Sequence, residues 1–233
     1  MDAPRIAQLL DPFLRSRANT ASSSSARLTP VQLEQISTYI DLLIRWNARI
    51  NLTAIRTPEE IVTRHFGESL FAANHLLSCP EGATEASPEH SGTSVASRSP
   101  NHLADLGSGA GFPGLPMKIW SPATRVTLIE SNNKKVAFLR EVIRAITLTN
   151  IDVYPGRAEN FPPASANLLT LRAVERFDAI LPTATTLLVP GGRLALLIGQ
   201  SQVPRARDLA PSLRWSAPIP IPHSESRVLL VAR

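Results

Sequence analysis

The sequence is almost without cysteine. Its 233 residues include one, Cys79, so no disulfide can close within the chain and no cysteine-rich metal site can be assembled. No apolar run approaches the roughly 20 residues that a membrane helix needs. The N-terminal stretch MDAPRIAQLLDPFLRSR carries an early Asp and Pro and no long apolar segment, which is not the pattern of a secretory signal. These absences lead to the expectation of a cytoplasmic protein with no membrane contact and no metal centre.

What is present supports a folded chain. Hydrophobic residues make up 43% and charged residues 18%, enough apolar material for a substantial core. Lys plus Arg number 24 against 19 Asp plus Glu, a net charge of +5, which suits a polyanionic partner. The low-complexity run NTASSSSA (19–26) buries too little to hold one shape and reads as a flexible joint. A helix is predicted next. Thr29 is placed to cap, Pro30 suits the first helical position, and Gln32 stands three residues after the cap. Leu33, Ile36, Ile40, Leu43 and Ile44 follow at spacings of three and four, extended by Trp46 and Ile50. A second helix is predicted from Pro58, capped by Thr57, through EEIVTRHFGESLFAANHLL.

Residues 81–101 are rich in Ser, Gly, Pro and Glu and read as a surface linker. The chain thus divides into a helical region (1–80), the linker (81–101) and a domain (102–233) in which strands alternate with helices. That alternation predicts an α/β fold with a mostly parallel sheet and helices on both faces. The ligand crevice of such a fold lies at the carboxyl ends of the strands.

Two glycine signatures overlap in DLGSGAGFPG (105–114). Residues 109–114 fit the G-x-G-x-x-G of dinucleotide sites, and residues 105–111 fit the acid-x-G-x-G-x-G loop of sites for S-adenosylmethionine. Glycine at 107, 109 and 111 allows backbone to approach a ligand. The neighbours separate the two. A dinucleotide site presents a helix N-terminus to a pyrophosphate, and Asp105 would repel it, whereas an acid attracts a sulfonium and an ammonium. Pro113 also removes a donor that a phosphate would want. Glu130 ends the second strand, about twenty residues on, where an acid grips ribose hydroxyls. Ala158 and Glu159 follow the third strand, near the adenine edge.

The residues after the fourth strand bear on the acceptor. No Asn/Asp-Pro-Pro-aromatic loop for exocyclic amines stands there, and Cys79 lies outside the sheet domain, so a cysteine nucleophile of the kind that methylates pyrimidine carbon-5 is not expected. Arg172 stands there instead, a donor suited to a guanine O6/N7 edge or a phosphate. Guanine N7 carries a free lone pair and needs no general base.

Several stretches together resemble the RsmG (GidB) family of bacterial methyltransferases acting on guanine N7 in 16S ribosomal RNA. They are LIRWNARINLTAI (43–55), RHFGES (64–69), LADLGSGAGFPGLPMKI (103–119), LIESNNKKVAFLREV (128–142), RAENF (157–161), LRA (171–173) and PGGRLALLIGQ (190–200). The resemblance implies a Rossmann-like methyltransferase fold with an N-terminal helical extension, S-adenosylmethionine as cofactor, and 16S RNA or the small ribosomal subunit as partner of a monomeric enzyme. It implies that Gly107, Phe112, Ala158 and Glu159 line the cofactor site, that Glu130 holds the ribose, and that Arg172 and Arg64 serve catalysis. RHFGES, with His65, Glu68 and Ser69, would approach the glycine loop. Asn47 and Asn51 would tie the first helix to the next, with Trp46 as core filler. Arg45, Arg49, Arg56, Arg64, Lys134 and Lys135 would form part of an RNA footprint. The chain departs from the family pattern in three ways. Ile198 replaces a usual lysine, for which Arg193 or Arg205 are candidate substitutes. Asn167 replaces a usual acid, and the linker is long. A small-metabolite methyltransferase, a dinucleotide oxidoreductase and an inactive binding module remain as alternatives.

Overall fold

The computed structural model describes residues 1–15, 27–77, 102–172 and 177–233. The Ser-rich joint (19–26), the linker (81–101) and Cys79 lie outside the described residues. Three helical elements precede the sheet. They are α1 (Ala3–Leu14), α2 (Pro30–Ile50) and a continuous helical run made of α3 (Pro58–Glu60), a π-helical turn (Ile61–Gly67) and α4 (Glu68–Leu76). Then follow β1 (His102–Leu106), α5 (Gly114–Trp120), β2 (Arg125–Ile129), α6 (Asn133–Ala145), β3 (Ile151–Tyr154), β4 (Ala166–Arg172), α7 (Phe177–Leu187), β5 (Leu188–Gly199), α8 (Val203–Leu209), β6 (Ile219–Pro220) and β7 (Arg227–Ala232).

The seven strands form one sheet in the order β3-β2-β1-β4-β5-β7-β6. The first five named are parallel, and β7 runs antiparallel to both β5 and β6. The expected α/β architecture is therefore present. Because side chains alternate along a strand, Leu103, Leu128, Leu168 and Leu197 face one layer and Ala104, Ile129, Leu169 and Leu196 the other. Helices α7 and α8 cover the second face. Helices α5 and α6 cover the first, together with α1, α2 and α4, so the N-terminal helices share one hydrophobic cluster with the sheet.

The start of α2 follows its sequence signals. Thr29 Oγ1 accepts from the Gln32 amide, and Gln32 Oε1 accepts from the Thr29 amide. The same Gln32 side chain donates to the Ile119 carbonyl at 2.7 Å, fastening α2 to the end of α5. Of the predicted stripe, Ile36, Ile40 and Leu43 are buried, while Ile44 is exposed. Helices α1 and α8 and the short β6 were not anticipated. In α1 the buried Ile6, Leu10, Phe13 and Leu14 sit on one face, a stripe readable at helical spacing. The helix expected from Pro58 is interrupted by the π-helical turn. At its end Gly67 lets the Phe13 ring approach so closely that a Cβ would lie 2.6 Å from it. β5 begins at Leu188 and runs through the Pro190-Gly191-Gly192 stretch to Gly199.

The strand order reverses at β1. From it β2 and β3 lie to one side and β4 and β5 to the other, so successive crossovers diverge and leave a crevice at the carboxyl ends of β1 and β4. The glycine loop 107–114 fills its floor. At Gly111, φ is +92°, and a Cβ would stand 2.4 Å from Leu115 Cδ1 and 2.5 Å from the Tyr39 hydroxyl. Gly111→Ala is therefore expected to destabilise the chain by about 3 kcal/mol or more through overpacking and backbone strain. Urea unfolding monitored by circular dichroism measures that loss.

Candidate active site

The loop after β1 is held by bonds from three directions. Asp105, fully buried in β1, accepts from the Gly114 amide at 3.1 Å and from Thr170 Oγ1 at 2.7 Å. Tyr39 of α2 donates its hydroxyl to the Ala110 carbonyl. Glu130, at the end of β2, accepts from the Gly109 amide at 2.9 Å through one oxygen and from the Asn132 amide at 2.7 Å through the other.

Asp105 does not reach the crevice as its place in the motif suggested. Its carboxylate points inward and caps the first amide of α5, the helix whose N-terminus a dinucleotide pyrophosphate would need. Burial pushes the carboxyl up to about 6, against the opposing bonds from Thr170 and Gly114. The anion-binding end of the helix is thus already occupied by an internal acid. Repulsion of a diphosphate survives as a conclusion, but direct attraction of a cationic ligand to Asp105 does not.

The crevice has two lobes. The larger, about 780 Å³, is lined by Gly107, Ser108, Gly109, Ala110, Phe112, Glu130 and Arg172, and across from these by Asn51–Ala54, Arg56, His65, Lys135 and Ile180. The smaller, about 360 Å³, is lined by residues including Gly107, Glu130, Ser131, Arg157, Ala158 and Glu159. Glu130 and Gly107 belong to both. Gly107, Gly109, Phe112, Glu130, Ala158, Glu159 and Arg172 are therefore brought together as expected, while Gly111 acts in packing beneath the loop. The Glu130 carboxylate is held by two backbone amides and lines both lobes, and its remaining lone pairs suit a pair of ribose hydroxyls. At Gly107 an added Cβ would meet nothing within 4 Å, and φ is +68°, so bare backbone faces the cavity. Both features fit the nucleoside of S-adenosylmethionine.

Arg172, at the end of β4, is nearly buried. Its Nε and Nη2 lie 3.1 and 3.0 Å from Glu68 Oε2, Nη2 donates to the Arg64 carbonyl at 2.7 Å, and Nη1 donates to His65 Nδ1 at 2.9 Å. Because a guanidinium only donates, His65 Nδ1 is the acceptor, and Nε2 carries the proton toward Thr53 Oγ1 at 2.8 Å. The His65 ring stacks on Phe112 with centroids 4.6 Å apart. Burial first, and then Arg172, Arg64 and Arg227, bring the His65 pKa down to about 3, so the ring is neutral at ordinary pH. Arg64 itself is exposed, and it meets the site through its carbonyl rather than its guanidinium.

Glu68 is only 3% exposed, and its second oxygen faces Arg227 Nε at 3.0 Å as an ion pair. Sequence reasoning did not find Arg227, because the antiparallel pairing of β7 with β5 is what brings it to the crevice end of the sheet. Nor did it find Tyr39 or Thr53 as supports of the site. Thr53 stood within the N-L-T motif, whereas Tyr39 carried no signal beyond its place on the buried face of α2. Of the three departures noted above, the linker lies outside the described residues and the other two fall away from the crevice. Ile198 is buried in the layer under α7 and α8, and Asn167 accepts from the His102 amide at the opposite edge of the sheet. Neither substitute cation replaces the lost lysine there, since Arg193 donates to the Leu76 carbonyl and Arg205 pairs with Asp178.

Fold and site together define a Rossmann-like, S-adenosylmethionine-dependent methyltransferase. Ribosomal protein L11 methylase from Lactobacillus delbrueckii subsp. bulgaricus shares the fold, with a TM-score of 0.54 at 12% identity over 73% of this chain and 78% of that one. The chain belongs to the GidB family, rRNA small subunit methyltransferase G, whose model matches residues 32–80 and 90–214. It is 38% identical over 198 residues to ribosomal RNA small subunit methyltransferase G of Xanthomonas campestris pv. campestris (strain B100), covering 83% of this chain and 82% of that protein. The namesake from Desulfitobacterium hafniense (strain Y51) is 36% identical, over 81% of this chain and 70% of its own.

The two perturbed groups act oppositely on stability. The His65 pKa is lowered on folding, so its contribution is present above about 6.5 and is lost as pH falls toward about 3. The Asp105 pKa is raised, so its contribution is present in acid and is lost as pH rises through about 6. The stability advantage of the wild type over His65→Gln is expected to shrink by about 3–4 kcal/mol between pH 7 and pH 3.5. Denaturant unfolding of both proteins across that range checks it.

Proposed function

We propose that the chain transfers a methyl group from S-adenosylmethionine to N7 of a guanine in small-subunit (16S) ribosomal RNA. The observation that carries this reading is the pairing of an amide-braced Glu130 with a helix N-terminus closed by Asp105. The first suits a nucleoside and the second excludes a pyrophosphate. The bound cofactor supplies an electrophilic methyl group on a sulfonium.

The residues of the chain hold and orient. Glu130 takes the ribose hydroxyls, Gly107 and Gly109 present backbone, and Ala158 and Glu159 wall the adenine side, with Phe112 beneath the reacting end. Asp105 acts from below by keeping the loop closed over α5. Arg172 is the group we assign to the acceptor. Three of its five N–H groups donate to Glu68, His65 and the Arg64 carbonyl, and Nη2 also pairs with Glu68, which leaves donor capacity for a guanine O6 or a phosphate oxygen. Arg64 contributes as a positioning residue through its carbonyl. Alignment of acceptor and methyl supplies much of the rate in a displacement of this kind. An N7 lone pair asks for no proton acceptor, which agrees with a crevice where both His65 nitrogens are already engaged.

Arg56 and Lys135 stand at the rim of the larger lobe, and Arg45, Arg49, Arg64 and Lys134 are exposed nearby in sequence. This distribution suits a phosphate backbone crossing the crevice. Among the described residues no helix is long and apolar enough to cross a membrane. In this reading the chain works as a monomer in the cytoplasm, where its ribosomal substrate is found.

Two outcomes are expected. Labelled methyl from S-adenosylmethionine appears in small-subunit RNA at N7 of one guanine, and Glu130→Ala weakens cofactor binding in calorimetry by 10-fold or more, on the order of 1.4 kcal/mol. No transfer to RNA, or transfer to a small metabolite instead, would overturn the reading. Neutralising Arg56 and Lys135 together is expected to reduce the slope of log affinity for RNA against log salt by about two. An unchanged slope in salt-titrated binding would remove these two cations from the RNA footprint.

A further inference from the structure

The cofactor site leaves one motif of the sequence without a task, the element Trp46-Asn47 … Asn51-Leu52-Thr53. Trp46 is a packing residue. Its ring meets Phe138 edge-on at 5.7 Å, and its Nε1 donates to Glu141 at 3.0 Å. The other four residues build something else. Helix α2 ends at Ile50, and Asn51 takes a left-handed conformation with φ 43° that turns the chain back. Asn47 lies one turn earlier and is 6% exposed. Its side-chain amide behaves as a neighbouring strand would, with Nδ2 donating to the Thr53 carbonyl at 3.0 Å and Oδ1 accepting from the Thr53 amide at 2.9 Å. A two-point clamp of this kind fixes both position and orientation of the segment.

The clamped segment is the wall of the larger lobe opposite the glycine loop. Its polar groups are unevenly used. Thr53 Oγ1 accepts from the Ile55 amide at 3.1 Å and from His65 Nε2–H at 2.8 Å. Both lone pairs are then engaged, and the hydroxyl hydrogen remains to be donated. Among the described residues the amide and carbonyl of Ala54 have no partner, and Ala54 is exposed on the cavity side. A rigid wall thus carries an unpaired hydroxyl donor beside an unpaired amide donor and carbonyl acceptor. An RNA base must leave its stack to reach a buried methyl donor, and enzymes read such a base through its polar edge. Guanine sets the acceptor O6 beside the donor N1–H on that edge.

We propose that Thr53 and Ala54 form the recognition edge for the target guanine, with Asn47 as the positioning residue that holds them there. This inference rests on the proposed RNA methyltransferase reading. Asn47 touches neither the nucleoside lobe nor the glycine loop, so the prediction separates substrate from cofactor.

The test compares wild type, Asn47→Ala, Asn47→Asp and Thr53→Ser in methyl transfer to small-subunit RNA, with S-adenosylmethionine affinity measured by calorimetry and melting followed by circular dichroism. Asn47→Ala is expected to lower kcat/KM for RNA by 10- to 100-fold while the cofactor Kd stays within twofold. Asn47→Asp keeps the acceptor for the Thr53 amide and loses the donor to its carbonyl, so a 3- to 10-fold loss is expected from a folded protein even if the alanine variant unfolds. Thr53→Ser keeps the hydroxyl, so it is expected to lose less RNA turnover than Asn47→Ala. Asn47 variants with wild-type RNA kinetics would overturn the inference alone. Equal losses of RNA turnover and cofactor affinity would also overturn it, because Asn47 would then support the whole site. A wild-type chain inactive on RNA would overturn the proposed function and this inference with it.

Discussion

The site depends on one buried carboxylate. Asp105 sits at the carboxyl end of the central strand and joins the first amide of α5 to the hydroxyl of Thr170 on the neighbouring strand. Removing an acid from water is costly unless hydrogen bonds replace its hydration, and its elevated pKa is the mark of that cost. What the interaction secures is the shape of the glycine loop. With the helix end closed from below, the backbone from Gly107 to Ala110 is free to face the cavity, a surface that suits a nucleoside rather than a diphosphate. Tyr39 and Glu130 hold the same loop from the α2 side and the β2 side, so one short segment is braced by three separate elements.

A second constraint governs the other side of the crevice. Glu68 lies between Arg172 and Arg227, two cations with one anion among them, and His65 is held neutral beside them. A buried ion cluster of this composition is weak support for stability, but it fixes a guanidinium in one orientation. The π-helical turn from Ile61 to Gly67 places the His65 side chain, the Arg64 carbonyl and Glu68 around a single arginine, and π-turns are often found at functional sites. The N-terminal helices are therefore part of the architecture of the crevice. Their core is continuous with that of the sheet, and without them Phe112, Arg172 and the 51–54 wall would lose their supports.

Much of this was legible in the chain before any coordinates. The alternation of apolar runs and helical stretches after His102 implied the parallel sheet, and the Thr29-Pro30-Gln32 signal marked the start of α2. Glu130 was found by its distance from the glycines, because a crossover of this length delivers the end of the second strand to the crevice. Asp105 was assigned to the right loop and the wrong face. Spacing along a strand end does not tell whether a carboxylate turns toward ligand or toward the helix beneath it. Arg64 was named for its charge, yet its carbonyl is what reaches the site, a distinction invisible to residue type. The apolar stripe of α1, Ile6, Leu10, Phe13 and Leu14, stands at helical spacing in the chain, but spacing does not tell which surface it will cover.

Local pattern and chemical type determined the sheet, the principal helices, the glycine loop and the cofactor class, since these rest on periodicity, turn residues and charge within a few positions of one another. Tertiary structure alone decided which way Asp105 points, that Arg227 meets Glu68 across 159 positions of chain, and that a desolvated His65 stays unprotonated beside Arg172. Those outcomes follow from strand order and from desolvation. Both are properties of what surrounds a residue in space, and neither is written in its neighbours along the chain.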